Sequence, residues 1–344
     1  MPHPAPMKDI ARQAGVGLAT VDRVLHRRGG VSAATTRRVH QAIGELSRQT
    51  VEASLHGSRM VIDLVMEAPK RFSSAVRNAL EDQLPMHQPV ALRVRSHLCE
   101  TATGEEIAAI LARIRKRGSN GILLKAPDHS GIREEIAACR RAHIPVITLV
   151  TDLPGSDRLA YVGMDNQAAG GTAAWLMAGW MPAPLYQGKA VLAVISSYRF
   201  LGEEEREIGF RAVLRERAPH LGVVSLGEGG GLDWLSHDLI RSALMAHPEI
   251  EAVYSIGGGN RAVARAFASC GRRPVIFVAH DLDHDNRALL QDRTLTAVLH
   301  HDLAADMHQA CALFIQANRL RSAPVTARPS PAHIITPMNM PPFT

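Results

Sequence analysis

Polar side chains stand directly after several short apolar runs of this chain. They are Lys125, Thr151 with Asp152, Asp165, Asn260, Asp281 and His301. Such runs are typical of strands, and in open α/β sheets ligands bind at the carboxyl ends of the strands. Carboxylates, amides and cationic groups can each hold neighbouring hydroxyls by paired hydrogen bonds. The set therefore predicts a site for a polyhydroxylated molecule, with capping of a helix or turn as the alternative for each carboxylate.

Catalytic chemistry is the alternative interpretation of these residues. Residues 227–231 and 257–259 are rich in glycine, but neither segment completes Gly-x-Gly-x-x-Gly nor ends in Gly-Lys-Ser/Thr. Residues 280–284 and 300–302 offer metal donors without a His-Glu-x-x-His pattern, and no Gly-x-Ser-x-Gly elbow is present. A binding role without a cofactor is therefore favoured over a metal- or nucleotide-dependent α/β enzyme fused to a DNA-binding module.

Alternating apolar runs and helical stretches must position these side chains. Strands are predicted at 60–66, 90–96, 121–124, 145–150, 160–163, 190–195, 223–225, 252–256, 274–279 and 296–299. Helices are predicted at about 105–117, 131–142, 204–216, 235–246 and 261–270. This alternation indicates an α/β fold with parallel sheets and right-handed crossovers, and the number of strands fits two lobes better than one sheet.

A different pattern occupies the N-terminal part of the chain. Apolar residues recur at helical spacing in residues 10–14, Gly15 interrupts them, and a second apolar stripe follows in residues 21–25. A third helix is predicted after Ser32, which is suited to the N-cap position. This order predicts a helix-turn-helix, whose second helix lies in the major groove of DNA. The side chains expected on its outer face are Leu18, Ala19, Asp22, Arg23 and His26.

Positive charge is concentrated in the same segment. Through residue 59, nine Lys and Arg stand against four Asp and Glu, which accounts for +5 of the formal net charge of +6. Neutralisation of phosphates supplies much of the affinity for nucleic acids, so this asymmetry supports contact with DNA here. A solvated charged face is the alternative.

Cysteine usage and hydropathy bear on the compartment. Cys99, Cys139, Cys270 and Cys311 lie far apart without a Cys-x-x-Cys pair, which favours reduced thiols. No apolar run approaches the roughly 20 residues that span a bilayer, and residues 1–7 lack the basic-then-apolar order of a secretory signal. We expect a cytoplasmic protein with a disordered N-terminal leader and no membrane partner.

One set of residues agrees in fixed register with a known family. It comprises Lys8-Asp9-Ile10-Ala11, Ala14-Gly15-Val16, Thr20-Val21, Arg23-Val24-Leu25, Val31-Ser32, Thr36-Arg37, Val39 and Ile43-Gly44-Glu45-Leu46. The segment resembles the start of a LacI (lactose repressor-type) family transcription factor, and agreement at so many positions makes the signal specific. Asp22 and His26 depart from the family, which usually has Ser and Asn there.

The resemblance implies a transcriptional regulator, expected to be a repressor, that binds a two-fold DNA operator as a homodimer or higher oligomer. Thr20, Thr36 and Arg37 are then expected to contact phosphates. Family members usually insert a leucine of a short hinge helix into the minor groove. Here residues 47–57 lack the family's Pro-Asn pair, and Leu55 is the candidate wedge. A flexible tether with Leu55 packed on the next domain is the alternative.

Residues from about 60 onward resemble the two-lobed periplasmic-binding-protein-like fold (type I) that this family uses to bind an effector. The matching segments are Ile144-Pro-Val-Ile-Thr-Leu149, Tyr161-Val-Gly-Met-Asp-Asn166 with Gly170, Arg206 with Gly209-Phe210, and Val278-Ala-His-Asp281. The resemblance implies domains at 1–47, 48–59 (hinge) and 60–344, with 333–335 as a late strand, so that each lobe is discontinuous.

The same resemblance ranks the ligand-binding candidates. Asp165, Arg206 and Asp281 match the family pattern, whereas Asn260 is shifted by one position from the family's Asn-Asp pair. The implied effector is a sugar, polyol or sugar acid, and Lys125 with Arg206 favours an anionic one. The aromatic candidates for covering a sugar ring are Phe72, Tyr198, Phe200 and Trp234, each of which could equally be a core residue.

Overall fold

The structure is a computed structural model that describes residues 6–55, 58–227, 229–320 and 324–342, with the side chains of 47–55 and of Trp234 left out. The chain divides into two compact units. The first is Met1–Met60 with His87–Ala91, and the second is Val61–Met86 with Leu92–Thr344. Among the described residues, no helix combines the length and the apolar composition that crossing a membrane requires.

The first unit contains the predicted helix-turn-helix. Its helices are α1 (Met7–Ala14), α2 (Leu18–Leu25) and α3 (Ala33–Leu55). Gly15 ends α1 in the left-handed region with φ of 63°, which glycine adopts without a Cβ penalty. The Ser32 hydroxyl accepts from the Thr35 N–H at 3.2 Å, which confirms its predicted capping role.

Three helices enclose one small core in this unit. Ile10 of α1, Val21 of α2 and Val39 of α3 are fully buried in this core. Arg38 of α3 donates from Nη2 to the carbonyls of Ala14 and Gly15, at 2.6 and 3.1 Å, and so satisfies the C-terminal end of α1. The core fixes which face of α2 remains available to solvent.

Helix α3 is longer than the sequence analysis predicts. We expected the third helix to end before a linker at 48–59, either a short hinge helix or a flexible tether, but the helical backbone continues from Ala33 to Leu55. No proline or glycine stands between Gly44 and Leu55 to interrupt it. The side chain of Leu55 lies outside the described side chains, so its role as a minor-groove wedge remains a prediction.

The second unit consists of two α/β lobes. Lobe 1 has a five-stranded sheet in the order β2-β1-β3-β4-β5. Its strands are β1 (Arg59–Glu67), β2 (Ala91–Cys99), β3 (Gly121–Lys125), β4 (Val146–Leu149) and β5 (Ala160–Val162). Its helices are α4 (Lys70–Gln83), α5 (Gly104–Arg117) and α6 (Ser130–Arg141), and a 3₁₀ turn covers Leu84–His87.

Lobe 2 has a six-stranded sheet in the order β11-β10-β9-β8-β6-β7. Its strands are β6 (Ala190–Val194), β7 (Gly222–Leu226), β8 (Ile250–Ser255), β9 (Ile276–His280), β10 (Ala297–His300) and β11 (His333–Ile335). Its helices are α7 (Asn166–Trp180), α8 (Ala183–Tyr186), α9 (Leu201–Arg217), α10 (Asp233–Ala246), α11 (Asn260–Ser269) and α12 (His284–Gln291). Strands β6 to β10 pair in parallel, whereas β11 is antiparallel to β10.

The chain passes between the lobes more than once, as expected. It leaves lobe 1 after β5 to form α7, which packs against α9. After β10 it returns through α13 (Leu303–Ala317), which packs against α4 of lobe 1, and it ends in β11 on the lobe 2 sheet. Each lobe is therefore discontinuous in sequence, as the resemblance implies.

Two glycines allow helices α7 and α9 to cross closely. A Cβ on Gly170 would lie 1.9 Å from the Arg206 carbonyl oxygen, and one on Gly209 would lie 2.1 Å from the Gln167 carbonyl oxygen. Only glycine permits this approach of one backbone to another. The crossing fixes the position of Arg206 at the start of α9, beside the carboxyl ends of the strands.

Candidate functional site

The carboxyl ends of the strands of both lobes surround a cavity of about 260 Å³. Strand ends and the loops after them supply its polar lining, as the topology of parallel sheets requires. The charged side chains that line it are Glu67, Arg71, Glu100 and Lys125 from lobe 1, and Arg199, Glu203, Arg206, Asp281 and Asp283 from lobe 2. Four of the predicted residues, Lys125, Thr151, Arg206 and Asp281, are therefore brought together.

Lys125 ends β3 as a buried ammonium. Its Nζ donates to the Glu67 carbonyl at 2.9 Å and lies 3.9 Å from the ring centroid of Phe200 in lobe 2. Burial lowers the pKa of Lys125 to about 8, although Glu203 and Glu67 act in the opposite direction. The ammonium is thus already engaged by a carbonyl and an aromatic face.

Arg206 is buried at the start of α9, with one nitrogen left unpartnered. Its Nε donates to Asn166 Oδ1 at 2.9 Å, and its Nη1 donates to the Ile256 carbonyl at 3.3 Å. Nη2 has no hydrogen-bond partner among the described residues. A buried guanidinium N–H without an acceptor is costly, so this atom requires an acceptor from a molecule in the cavity.

Asp281 follows β9 with φ of 64°, and its carboxylate forms an ion pair with His301 Nε2 at 3.3 Å. Burial alone would raise the pKa of this carboxyl, but His301 and Arg206 hold it far below its usual range. The carboxylate is therefore ionised at neutral pH, and both of its oxygens can accept hydrogen bonds from ligand hydroxyls.

Most of the lining residues were not among the predicted ones, and His280 and Glu203 are two that matter for the chemistry of the cavity. His280 is buried, its Nε2 shares a hydrogen bond of 2.8 Å with the Tyr254 hydroxyl, and its Nδ1 has no partner among the described residues. Burial and the charge of Arg206 hold its pKa well below the ordinary value, so the ring is neutral. Glu203 accepts from the Ser196 N–H at 2.7 Å. Only the position of His280 at the last residue of a strand could have indicated it from the sequence.

Ion pairs join the two lobes at the cavity. Glu67 of lobe 1 lies 2.8 Å from Arg199 Nη2 of lobe 2, and Arg71 Nε lies 3.0 Å from Asp283 Oδ2. Arg71 also donates from Nη2 to the Gly231 carbonyl at 2.9 Å. The lobes are therefore closed on each other around the cavity.

Four predicted ligand-binding residues lie outside the cavity lining. Asp152 is held by both arms of Arg158 and by the Thr148 hydroxyl. Asp165 is exposed and caps α7 by accepting from the Ala168 N–H at 2.9 Å. Asp165 therefore caps a helix, and Asp152 stabilises a turn, which are the alternative roles given for carboxylates in the sequence analysis.

The other two of these residues lie behind the cavity. Asn260 donates to Asn286 Oδ1 at 2.6 Å, and Asn286 itself lines the cavity. His301 is buried behind Asp281. Among the aromatic candidates, Phe72 and Phe200 line the cavity, Tyr198 is half-exposed outside the lining, and the Trp234 side chain is outside the described part.

The predicted outer face of α2 is indeed exposed. Leu18 is 51% exposed, and Ala19, Arg23 and His26 are exposed beside it. Asp22 is bound by Arg28 Nη1 at 3.0 Å and by His26 Nδ1 at 2.9 Å. His26 and Arg28 therefore both engage Asp22, the acidic side chain of this face.

The predicted phosphate-binding residues lie at the edges of the same unit. Thr20 is partly buried in α2, and Arg37 is exposed on α3. The Thr36 hydroxyl donates to the Ser32 carbonyl at 3.1 Å. Within the part of the chain that the structure describes, no three His, Cys, Asp or Glu side chains converge in a way that could hold a metal ion.

Two family models match the chain. The model described as "Periplasmic binding protein domain" matches residues 68–317, and the model described as "Bacterial regulatory proteins, lacI family" matches residues 6–50. A search of curated proteins found no match.

Solved structures of sugar-binding proteins share the fold of the second unit. GanP, a glucose-galactose binding protein from Geobacillus stearothermophilus, is similar with a TM-score of 0.71 and 21% identity over 83% of this chain and 99% of its own. A solute-binding protein from Burkholderia graminis in complex with D-arabinose has a TM-score of 0.72 and 18% identity over 84% of this chain and 99% of its own. One from Actinobacillus succinogenes with bound D-allose has a TM-score of 0.67 and 15% identity over 81% and 98%.

Proposed function

Because the chain belongs to the periplasmic binding protein domain family and also matches the lacI family of bacterial regulatory proteins, we propose that it is a repressor whose operator affinity is controlled by a small sugar-like effector. This pair of matches is that of a LacI-family transcriptional regulator. The observation that carries the effector part is the cavity in which Arg206 Nη2 and His280 Nδ1 are buried without a hydrogen-bond partner among the described residues.

The effector that fits this cavity is an uncharged sugar or polyol. The free buried groups are a guanidinium N–H, an imidazole nitrogen and the carboxylate of Asp281, which together suit alternating hydroxyl donors and acceptors. Lys125 already donates to Glu67 and lies on Phe200, and Glu203 adds a carboxylate to the lining. The preference for an anionic effector, which the sequence suggested, is therefore not retained.

The DNA-binding part of the proposal assigns base contacts to α2. Arg23 is exposed and has no ion pair among the described residues, whereas Asp22 is engaged by Arg28 and His26. Arg23 is therefore available for the bidentate contact that arginine makes with guanine. Leu18 and Ala19 would contact neighbouring base edges, and Thr20, Thr36 and Arg37 would contact phosphates.

The remaining parts of the proposal follow from this role. A two-fold operator requires a two-fold protein, so we propose a homodimer in the cytoplasm, where the DNA is. We propose binding without catalysis. Sedimentation that found only monomer at micromolar concentration, with and without operator, would exclude the dimer.

Two measurements, one of effector binding and one of operator binding, test the proposal. Thermal unfolding of the full chain is measured against a panel of pentoses, hexoses, polyols and sugar acids, because a ligand that binds only the folded state raises Tm. In parallel, operators are selected from random DNA and their affinities are measured with and without each sugar that raises Tm. We expect an uncharged member of the panel to raise Tm and to weaken operator binding. Selection of no DNA sequence would contradict the regulatory role.

A further inference from the structure

Three ionisable side chains form a chain that begins at the lining of the cavity and continues behind it. His301 Nδ1 lies 2.7 Å from Asp306 Oδ2, and His301 Nε2 lies 3.3 Å from Asp281 Oδ1. The side chains of His301 and Asp306 are each 1% exposed. Asp281 lines the cavity, whereas the other two do not. One imidazole therefore stands between a ligand-facing carboxylate and a fully buried one.

The three residues also connect the lobes. Asp281 follows β9 and His301 follows β10, both in lobe 2. Asp306 lies in the first turn of α13, which packs against α4 of lobe 1. Phe72 of α4 places its ring centroid 6.4 Å from that of His301. His301 thus occupies the point where the chain passes from one lobe to the other.

Of Asp281, His301 and Asp306, His301 is the cationic member, because the other two are carboxylates that favour its protonation. The ionisable groups that face the three residues are His280, Asp283, His300, Arg206 and Lys125. Burial opposes protonation of His301, but the two carboxylates outweigh it and raise its pKa to about 9. Burial and the charge of His301 lower the pKa of His300 to about 4, and that of His280 is also low, so both rings are neutral at pH 7.

Two buried carboxylates this close to one histidine would be very costly without a compensating charge. We propose that His301 is a positioning residue of the effector site, an imidazolium that keeps Asp281 ionised and oriented toward the cavity and ties it to α13 of the other lobe. Asp281 Oδ1 lies 3.3 Å from His301 Nε2 in a charge contact without hydrogen-bond geometry, so the carboxylate can still accept a ligand hydroxyl. The role of Asp281 in binding rests on the proposed function, whereas the role of His301 in setting its charge does not.

The test follows the charge of Asp281 directly, without any ligand. Full-length protein labelled with ¹³C at the aspartate carboxyl carbons is titrated by NMR from pH 4 to 8, and the Asp281 signal is identified by its loss in Asp281→Asn. We expect this signal to stay constant in the wild type. In His301→Gln, which keeps a polar side chain but removes the charge, the imidazolium no longer opposes the effect of burial, so the pKa of Asp281 should rise into the titrated range.

A matched control is the neighbouring neutral histidine. His300→Gln should leave the Asp281 signal constant, since no charge is removed at pH 7. A constant Asp281 signal in folded His301→Gln would overturn the proposal, and so would an ordinary titration of Asp281 in the wild type.

A second variant covers the case in which His301→Gln does not fold. In Asp306→Asn the amide oxygen still accepts from His301 Nδ1, but one carboxylate is lost. The imidazole signal of His301 should then titrate at lower pH than in the wild type, and an unchanged midpoint would contradict the proposal. If the carboxylate titrates as expected but no sugar raises Tm, the proposed effector fails and the positioning role of His301 stands.

Discussion

Arg206 is the residue whose unsatisfied hydrogen bond most directly indicates a ligand. Two of its three side-chain nitrogens, Nε and Nη1, donate to protein oxygens, whereas Nη2 has no acceptor in the described structure. Because hydrogen bonds to charged groups contribute about 1.5 to 3 kcal/mol, this one contact could account for a large part of the affinity for a small sugar.

We expect Arg206→Met to weaken binding of the effector by at least about tenfold, which corresponds to about 1.4 kcal/mol. Operator affinity without effector should be unchanged. Isothermal titration with the sugar that raises Tm checks this. Arg211→Met is the control, because Arg211 lies on the same helix and pairs with Glu207 away from the cavity lining. Equal losses in the two variants would show a general effect on α9.

A second residue-scale prediction separates base contacts from phosphate contacts. Arg23→Ala should cost about 1 to 3 kcal/mol at the selected operator and relax the preference for guanine at one position. Arg37→Ala should weaken binding to all sequences alike and reduce the dependence on salt. Competition binding with operator and random DNA at several salt concentrations distinguishes the two. A uniform loss for Arg23→Ala would assign Arg23 to the backbone.

At the scale of elements, the crossing of α7 and α9 is the contact least tolerant of change. Gly170→Ala would place a methyl group 1.9 Å from a backbone oxygen, so the helices must separate. We expect a large drop in Tm and weaker effector binding, because Arg206 moves with α9. Gly179→Ala, on the same helix with no atom within 4 Å of the added Cβ, should instead leave Tm equal or raise it slightly. Similar Tm values for the two variants would contradict this account.

Elements with clear periodicity were predictable from the sequence, and those without it were not. Each predicted strand occurs within a few residues of its expected bounds, since β-branched runs flanked by turns leave few alternatives. The helices of the second unit that were not predicted are α4, α7, α8, α12 and α13. Helix α13 is buried on most of its surface, so it has no polar stripe, and α7 is rich in alanine and glycine.

The candidate site was predictable only in part, for a similar reason. Lys125 and Asp281 follow strands and do line the cavity, but Asp152 and Asp165 follow strands and form local contacts instead. A carboxylate that follows a strand can either line a ligand site or cap a helix or turn. The sequence does not distinguish these two roles. His280 and Glu203 were missed because their positions depend on how the two lobes meet.

The closed arrangement of the lobes is a property of the second unit as a whole. Ion pairs of Arg71 and Arg199 span the cavity mouth and hold the lobes together through protein contacts alone. A ligand can shift an equilibrium between open and closed forms only by its differential affinity for them. Contacts that already favour closure raise the fraction of protein that is competent to bind.

We expect Arg71→Ala to lower the closed fraction and thereby to weaken apparent effector affinity, because that affinity scales with the competent fraction. Distances between spin labels on the two lobes should broaden in the variant and narrow again when the sugar is added. Arg77→Ala, on the same helix and outside the cavity lining, is the control. Unchanged distances in Arg71→Ala would show that its ion pair does not hold the lobes.

The order in which lobe segments occur along the chain has a consequence for synthesis. Lobe 1 needs α13 to cover α4, and lobe 2 needs β11 to pair with the edge of β10, yet both segments come after nearly all other elements. The helix-turn-helix, by contrast, is finished once α3 has emerged from the ribosome. During translation this protein therefore carries a complete DNA-binding head long before either lobe is complete. Until then β10 exposes an unpaired edge, the kind of surface on which newly made chains associate with each other.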